Sequence, residues 1–593
     1  MNRTIMLLCM FVACMYTNTA LYAQPTTYAQ INQTVLLNNQ VNVIPLRNLA
    51  KRQTAVITRL DETMSIAFGN QLSRYAPVDR FVIPMQPDSY LQLDEDIKFY
   101  NTIIAALTAE DLSDQRLLQF IYTQAVGKQV ILAVFGDGTN LKALDFRYFP
   151  LLWNPEKTAA SAVDAAMSVF GGLACTAKLP KSFSPRYTVG AGYTTAKTRL
   201  AYTDASTLGI DQAQLETDID HIMEEAIRER ATPGGVVMAV KSGKVIFEKS
   251  YGYHTYEKEE PTKVSDIFDM ASVTKITATT PTIMRLTERG IVDLDSTMGH
   301  YLLQAQGTNK NGTVLRSVML HEAGFIPFIP FYANLKPEDL SSDSSATYSV
   351  KVADGCFIRT GFYDDVMWPT MLQSKLNPTG NYVYSDISMY VMKEVAEHQT
   401  GTPIQDYIQH EFYRPLGMQT AGYLPRQRFP KQRIVPTEDD TTFRKTLLQG
   451  YVHDEGAAMA GGVAGHAGLF ATANDMAIYG QLLLNRGEYG GDRYFKPETV
   501  DLFSSKQSKT SRRGLGFDRA NPDTSKAYPS KLASPATFGH TGYTGTCIWI
   551  DPEEQLIYIF LSNRVHPVRS TKLYELNVRS RIQDTFYEAV RAK

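Results

Sequence analysis

Cysteine is scarce: the 593 residues hold five, and two of these, Cys9 and Cys14, sit in an apolar N-terminal run. The other three, Cys175, Cys356 and Cys547, are odd in number and far apart, which excludes a disulfide framework or a thiolate cluster. Neither H-E-x-x-H nor C-x-x-C occurs, so a zinc mechanism has no ligand pattern to rest on, and no metal or cofactor is expected. An excess of one charge is also missing. Lys and Arg number 59 against 61 Asp and Glu, a net charge of −2, and nothing in that balance favours nucleic acid or an anionic membrane as partner. No apolar run reaches the roughly 20 residues of a membrane-spanning helix. Internal repeats and low-complexity tracts are absent too.

What is present is an ordinary globular composition, 44% hydrophobic and 20% charged, in a chain long enough for two to four domains. Arg3, the apolar residues 5–16 and a small residue at Ala23 have the layout of an export signal over residues 1–23. The expected location is therefore periplasmic or secreted. Phe11-Val12-Ala13-Cys14 is a poor lipidation site, with Phe where Leu is usual, and a lipid anchor is the lesser alternative.

Residues 24–205 read as a first module. Residues 53–57 and 130–135 are short β-branched runs typical of buried strands, whereas residues 100–107, 116–125 and 159–170 carry apolar residues at helical spacing. Strands alternating with helices predict an α/β layer around a mainly parallel sheet. Leu36-Leu37-Asn38-Asn39 with Val43-Ile44-Pro45-Leu46, Phe170-Gly171-Gly172 and Lys178-Leu179-Pro180 resemble the C-terminal α/β sandwich of family 3 glycoside hydrolases. The barrel that carries the nucleophile in that family is not found ahead of it. The resemblance therefore implies an accessory or docking domain and no glycosidase activity.

A polar stretch around residues 202–208 reads as a linker to a second module, residues 210–593. It opens with an amphipathic helix (Leu215, Ile219, Ile222, Met223, Ala226, Ile227) and a hairpin over 236–251 with its turn at Ser242-Gly243. A helix is then expected from Ala271 to Arg289, bent at Pro281 and closed by Gly290. Residues 325–380 break the helical rhythm and read equally as site-shaping loops or as an exposed insertion. Hairpin strands at 547–550 and 556–561, then a helix over 573–590, close the chain. A central antiparallel sheet flanked by helices, with an all-helical subdomain, is the expected architecture.

Chemistry enters at Ser272-Val273-Thr274-Lys275. A hydroxyl and an amine three residues apart share one face of a helix, so the lysine can polarise a serine that alone is a weak nucleophile. Downstream come Tyr384-Ser385-Asp386 and Gly539-His540-Thr541-Gly542-Tyr543. S-x-x-K, Tyr-x-Asn and Lys/His-Thr-Gly in this order resemble class C β-lactamases, carboxypeptidases that cleave terminal D-alanine, and esterases of the same penicillin-binding fold. Leu320-His321-Glu322-Ala323-Gly324 and the glycine-rich residues 462–470 extend the likeness, which covers roughly residues 210–593. It implies Ser272 as nucleophile, Lys275 as its activator and Tyr384 as general base. A phenol titrates near pH 10, and a neighbouring ammonium pushes such a group towards phenolate. The N–H groups of Ser272 and Tyr543 would form an oxyanion hole, with Thr541 on the substrate strand and Gly542 leaving it clear.

Two residues depart from the pattern. Asp386 replaces Asn, and a carboxylate cannot donate to a substrate carbonyl; it reads either as substrate-facing or as the partner of Lys275 or Lys393. His540 replaces the lysine common in β-lactamases and is expected to be uncharged at neutral pH. Both weaken the hold on a substrate carboxylate. His321 and His466 read as loop braces, and His453-Asp454-Glu455 as a polar turn rather than a set of metal ligands. The expectation is an exported serine hydrolase that cleaves an ester or amide through an acyl-enzyme on Ser272, with esterase or D-amino-acid peptidase chemistry on a small or peptidoglycan-derived substrate. A peptidoglycan carboxypeptidase or class C-like β-lactamase, and a non-catalytic glycan-binding protein, are the alternatives.

Overall fold

The computed structural model describes residues 32–86, 89–145, 149–526 and 528–592; the expected export signal, residues 1–23, lies outside them. Six strands build the first sheet: β1 (Val35–Asn38), β2 (Thr54–Thr58), β3 (Val78–Val82), β4 (Thr102–Thr108), β5 (Gln129–Phe135) and β6 (Leu151–Asn154), in the order β1-β6-β5-β4-β2-β3. Every pairing is parallel except that of the edge strand β1 with β6. Helices cover both faces. Ile103, Ala105 and Leu107 pack into one layer with Leu117 and Ile121 of α2 (Gln115–Gln124), while Ile104 and Ala106 pack into the other. That second layer is shared with α1 (Glu62–Leu72) and α3 (Ala159–Phe170). Residues 100–107, whose spacing predicts a helix, are thus the central strand β4. A run apolar on both faces carries no period that separates strand from helix, and here the sheet demands the extended form.

The chain leaves this layer through Ala201–Tyr202 (β7), a short edge strand where the sequence predicts a linker; it runs parallel to β9 of the second sheet. That sheet has the order β10-β11-β12-β13-β8-β9-β7, with β8 (Gly234–Lys241), β9 (Lys244–Gly252), β10 (Asp518–Arg519), β11 (Phe538–Thr541), β12 (Cys547–Asp551) and β13 (Leu556–Ser562). Apart from β7 its pairings are antiparallel. Alternation sorts its side chains: Val237, Ala239, Trp549, Tyr558 and Phe560 face α4 (Gln212–Arg228) and the C-terminal helix, whereas Val236, Met238, Ile548 and Ile559 face the large core that contains Ser272's helix. The mixed α/β architecture agrees with the fold class read from the sequence. No helix of the described residues is long and apolar enough to cross a membrane.

Three local structures differ from expectation. Residues 325–380, read as loops or an insertion, hold a small antiparallel sheet of Leu340–Ser341, Val350–Ala353 and Cys356–Ile358. The C-terminal helix is split, with Asn577 in a left-handed conformation before Val578–Arg591. The segment behind Ser272 is a single 3-10 turn (Ala271–Val273), a π turn (Lys275–Thr279) and then the helix α5 (Thr280–Glu288). Pro281 explains the widening, because it has no N–H for the carbonyls of the preceding turn. Two buried phenols replace it: the Tyr413 hydroxyl donates to Thr277 O at 2.7 Å, and the Tyr479 hydroxyl donates to Ile276 O. Tyr413→Phe would strand the Thr277 carbonyl in the core, and a stability loss of about 1–3 kcal/mol is expected in urea denaturation. No loss would mean that water reaches that carbonyl.

The two halves are stitched by side chains. Arg74 pairs with Glu248, with Nη1 2.7 Å from Oε1, and Gln419 Nε2 donates to Ser73 O at 2.7 Å. Where the first half ends, the Leu200 N–H donates to the Tyr489 hydroxyl at 3.4 Å.

Candidate active site

Ser272 sits at a kink that the chain holds by force. Ala271, just before it, has φ +45°, a left-handed conformation costly for a residue with a Cβ. Asp269 fixes that turn by accepting from the Ala271 N–H at 2.8 Å and from the His453 N–H at 2.7 Å. The turn carries Ser272 to the wall of a hollow of about 420 Å³, along with Asp386, Asp454, His466, Phe328 and Tyr543.

Lys275 stands one turn on, its side chain fully buried. An ammonium has three N–H donors and no acceptor. Lys275 Nζ meets three oxygens: Ser272 Oγ at 2.8 Å, Asp386 Oδ1 at 2.8 Å and His466 O at 3.5 Å. Burial works against its charge, but Asp386 and then Tyr384 outweigh burial and raise its pKa above the usual lysine value. Of the two readings of Asp386, the structure realises the pairing with Lys275; Lys393 is engaged instead by Glu397 at 2.6 Å and Glu394 at 3.3 Å.

Tyr384 lies with its ring centre 4.8 Å from Lys275 Nζ. His321 braces it from behind, with ring centres 4.8 Å apart and Nδ1 accepting the Ser385 N–H at 3.2 Å. His540, on β11, has its ring centre 6.0 Å from that of Tyr384. Its hydrogen bonds settle its tautomer. Nδ1 faces Thr541 O at 2.7 Å and must donate, whereas Nε2 faces the Arg513 guanidinium at 3.3 Å and must accept. Burial, then Arg513 and Lys275, push its pKa down to about 3, so the ring is neutral in the physiological range, as expected from the sequence.

The strand end supplies the remaining groups. Thr541 pairs with Cys547 across β11 and β12, and the ring of Tyr543, 47% exposed, stacks on His453 at 5.6 Å. Among the described residues, neither the Ser272 nor the Tyr543 N–H donates to another protein group, which leaves both available to an oxyanion. Gly542 is also required by the protein's own packing. A Cβ there would meet Thr546 Oγ1 at 2.1 Å and Met270 O at 2.5 Å, so it is the protein's own turn that excludes a side chain.

Two participants have no sequence motif. Arg513 is buried and reaches His540 from a loop distant in sequence. Asp454 caps a short helix through the Ala457 N–H at 2.7 Å and accepts from His466 Nε2 at 2.9 Å. Burial opposes its ionisation, yet His466 and that N–H hold it well below the usual carboxylate range. The polar turn at 453–455 and the glycine-flanked His466 are therefore walls of the hollow itself. Asp386, Asp454 and His466 bring ligand-capable atoms within 4.8 Å of one another. A cation there would have to displace the Lys275 ammonium from Asp386 and His466 from Asp454.

Comparison with known proteins places the chain among relatives. The family described as Beta-lactamase matches residues 218–580. An Escherichia coli K12 protein provisionally named a D-alanyl-D-alanine carboxypeptidase is 30% identical over 372 residues, 58% of this chain and 82% of its own. A Bacillus subtilis 168 protein named N-acetylmuramyl-L-alanine amidase is 31% identical over 376 residues, 59% of this chain and 80% of its own. A solved penicillin-binding protein homologue from Caulobacter crescentus aligns with a TM-score of 0.46 at 16% identity, covering 63% of this chain and 97% of its own.

Proposed function

The chain belongs to the beta-lactamase family of serine hydrolases, and from that membership we propose that it cleaves an amide in peptidoglycan-derived fragments through an acyl-enzyme on Ser272. The observation that carries the reading is the buried Lys275 ammonium donating to Ser272 Oγ at 2.8 Å. Because an ammonium cannot also accept a proton, the base is a neighbour, and Tyr384 is the group whose ring faces that charge. Tyr384 takes the serine proton as Oγ attacks the carbonyl. The Ser272 and Tyr543 N–H groups hold the oxyanion, and Tyr384 returns the proton to the leaving amine. Water then enters by the same route and releases the acyl group.

An amide is favoured because both relatives above are named for cutting one, and esters share the chemistry as activated test substrates. Phe328, 60% exposed, stands in the wall of the hollow and offers a flat face to a sugar ring, which favours an acyl part bearing amino sugar. The Arg513–His540 contact favours a second reading, a carboxypeptidase that holds a terminal carboxylate. Asp386 disfavours β-lactams, because a carboxylate in place of an amide repels theirs. The N-terminal α/β domain, which by sequence resembles a glycosidase sandwich, serves in this reading as a docking domain of an exported enzyme.

Intact-mass spectrometry after exposure to a fluorophosphonate tests the centre. One adduct in wild type and none in Ser272→Ala is the expected result. Unlabelled protein is then assayed on N-acetylmuramyl-L-alanine, acetyl-lysyl-D-alanyl-D-alanine, p-nitrophenyl acetate and nitrocefin, with the muramyl amide expected to be cleaved fastest. A folded wild type that takes no adduct would return the protein to the glycan-binding alternative.

A further inference from the structure

We propose that a second, cationic hollow beside the site binds a multiply anionic group, carboxylate or phosphate, on the molecule whose scissile bond lies at Ser272; its coupling to turnover rests on the hydrolase reading above. The hollow, of about 360 Å³, is lined by Lys506, Lys509, Arg512, Arg513 and Lys526 with Tyr382, and no Asp or Glu is among its lining residues. Three carboxylates lie nearby. Glu322 accepts from Thr510 Oγ1, on the lining itself, at 2.8 Å. Asp518, buried beneath Arg512, holds it in a two-point pair at 2.7 and 2.9 Å and lies 3.6 Å from Arg513. Asp523 lies 3.6 Å from Lys526, with both side chains exposed to solvent. Lys506 and Lys509 have no carboxylate partner among the described residues. Five cations against three carboxylates leave an excess of two positive charges, in a chain whose net charge is −2. A concave surface with one sign of charge focuses the field and concentrates anions.

Arg513 ties this hollow to the reaction. Its guanidinium lines the cationic wall, contacts His540 Nε2 at 3.3 Å, and lies 5.5 and 5.3 Å from the ring centres of Tyr382 and Tyr384. A substrate reacting at Ser272 can therefore run past Tyr384 and His540 and place an acidic end among the lysines. Peptide fragments bearing side-chain carboxylates have such an end, and so do phosphorylated ones.

Two thioesters that share an acetyl group test this, one leaving as mercaptosuccinate and the other as its dimethyl ester. Each transfers acetyl to Ser272 Oγ and releases the thiol, which a thiol reagent reports, before water frees acetate. Wild type is expected to favour the dianion by roughly tenfold in kcat/KM at low salt, and to lose most of that preference at about 0.5 M NaCl. Lys506→Ala/Lys509→Ala, which alters only exposed side chains, should erase the preference while the dimethyl ester keeps its rate. Equal wild-type rates, or a preference that survives in the double variant, would overturn the proposal. Competition separates the sources: inhibition by inorganic phosphate at lower concentration than by succinate assigns phosphate, and the reverse assigns carboxylate. If Ser272 takes no fluorophosphonate and neither thioester is cleaved, the hydrolase reading has failed by itself. Calorimetric titration with mercaptosuccinate then decides the hollow, with heat in wild type but not in the double variant supporting it and none in either rejecting it.

Discussion

Lys275→Met is expected to slow fluorophosphonate acylation of Ser272 by roughly 10⁴-fold. Methionine fills similar space but removes the donor to Ser272 Oγ and the positive charge that faces Tyr384. It also leaves Asp386 without its counter-ion, so a carboxylate now repels the negative charge that must grow on the serine oxygen. Both losses act on the same step, which is why the effect exceeds that of a single hydrogen bond. Lys275→Arg should rescue little, because a planar fork cannot replace a tripod reaching three separate oxygens in a fully buried position. Time-resolved intact-mass labelling measures the rate, with thermal melting as the folding control. A Lys275→Met protein that labels within tenfold of wild type would show that another group activates the serine.

How much of this was legible in the sequence depends on whether the signal was local. The order Ser272–Lys275, Tyr384, His540 is a chemical pattern that survives without coordinates, and the fold brings Ser272 and Tyr384 to the Lys275 ammonium, with His540 beside Tyr384. Helices with one polar face, such as Gln212–Arg228, were readable because half of their period meets solvent. The strand β4 was not, since Ile103 to Leu107 are buried on both faces and lose the alternation that marks an exposed sheet. Arg513 carried no signal at all, and Asp454 only that of a polar turn. An arginine in a loop and an acid in a polar turn are common, and only the chain path places them beside His540 and His466. The π turn was half visible: Pro281 announced missing hydrogen bonds, but not that Tyr413 and Tyr479 would supply them.

The first domain touches a loop and a helix that lead towards the site. Asn474 Nδ2 donates to Arg74 O at 3.0 Å and Gln419 Nε2 to Ser73 O at 2.7 Å. Between those anchors the buried Asp475 gathers the N–H groups of Gln419, Thr420 and Ala421, at 2.9, 2.8 and 2.6 Å. Gly422 then pairs with Phe470, a few residues beyond the His466 carbonyl that meets Lys275. The contact between domains thus fixes the backbone that supplies the third acceptor of the ammonium.

Asp386→Asn separates charge from shape, and its pH dependence decides which group takes the proton. In the wild type the carboxylate outweighs burial and holds the Lys275 pKa above the usual lysine value, so the side chain is charged throughout the neutral range. With an amide in its place, burial prevails and the pKa falls. If Tyr384 is the base and needs the ammonium beside it, activity must be lost as pH rises through that lowered pKa. The alkaline limb of the rate profile moves down, and at pH 8 a loss of roughly 100-fold is expected, with less at pH 6. Stability follows the same sign. A raised native-state lysine pKa contributes stability that is fully present below the unfolded pKa near 10.4 and is lost as pH rises through the native value. Asp386→Asn should therefore cost about 3 kcal/mol at pH 7, the lower end for a broken buried pair because one quarter of the Asp386 side chain is exposed. A variant whose activity instead rises with pH would mean that neutral Lys275 accepts the serine proton, and Tyr384 would give up the role of base.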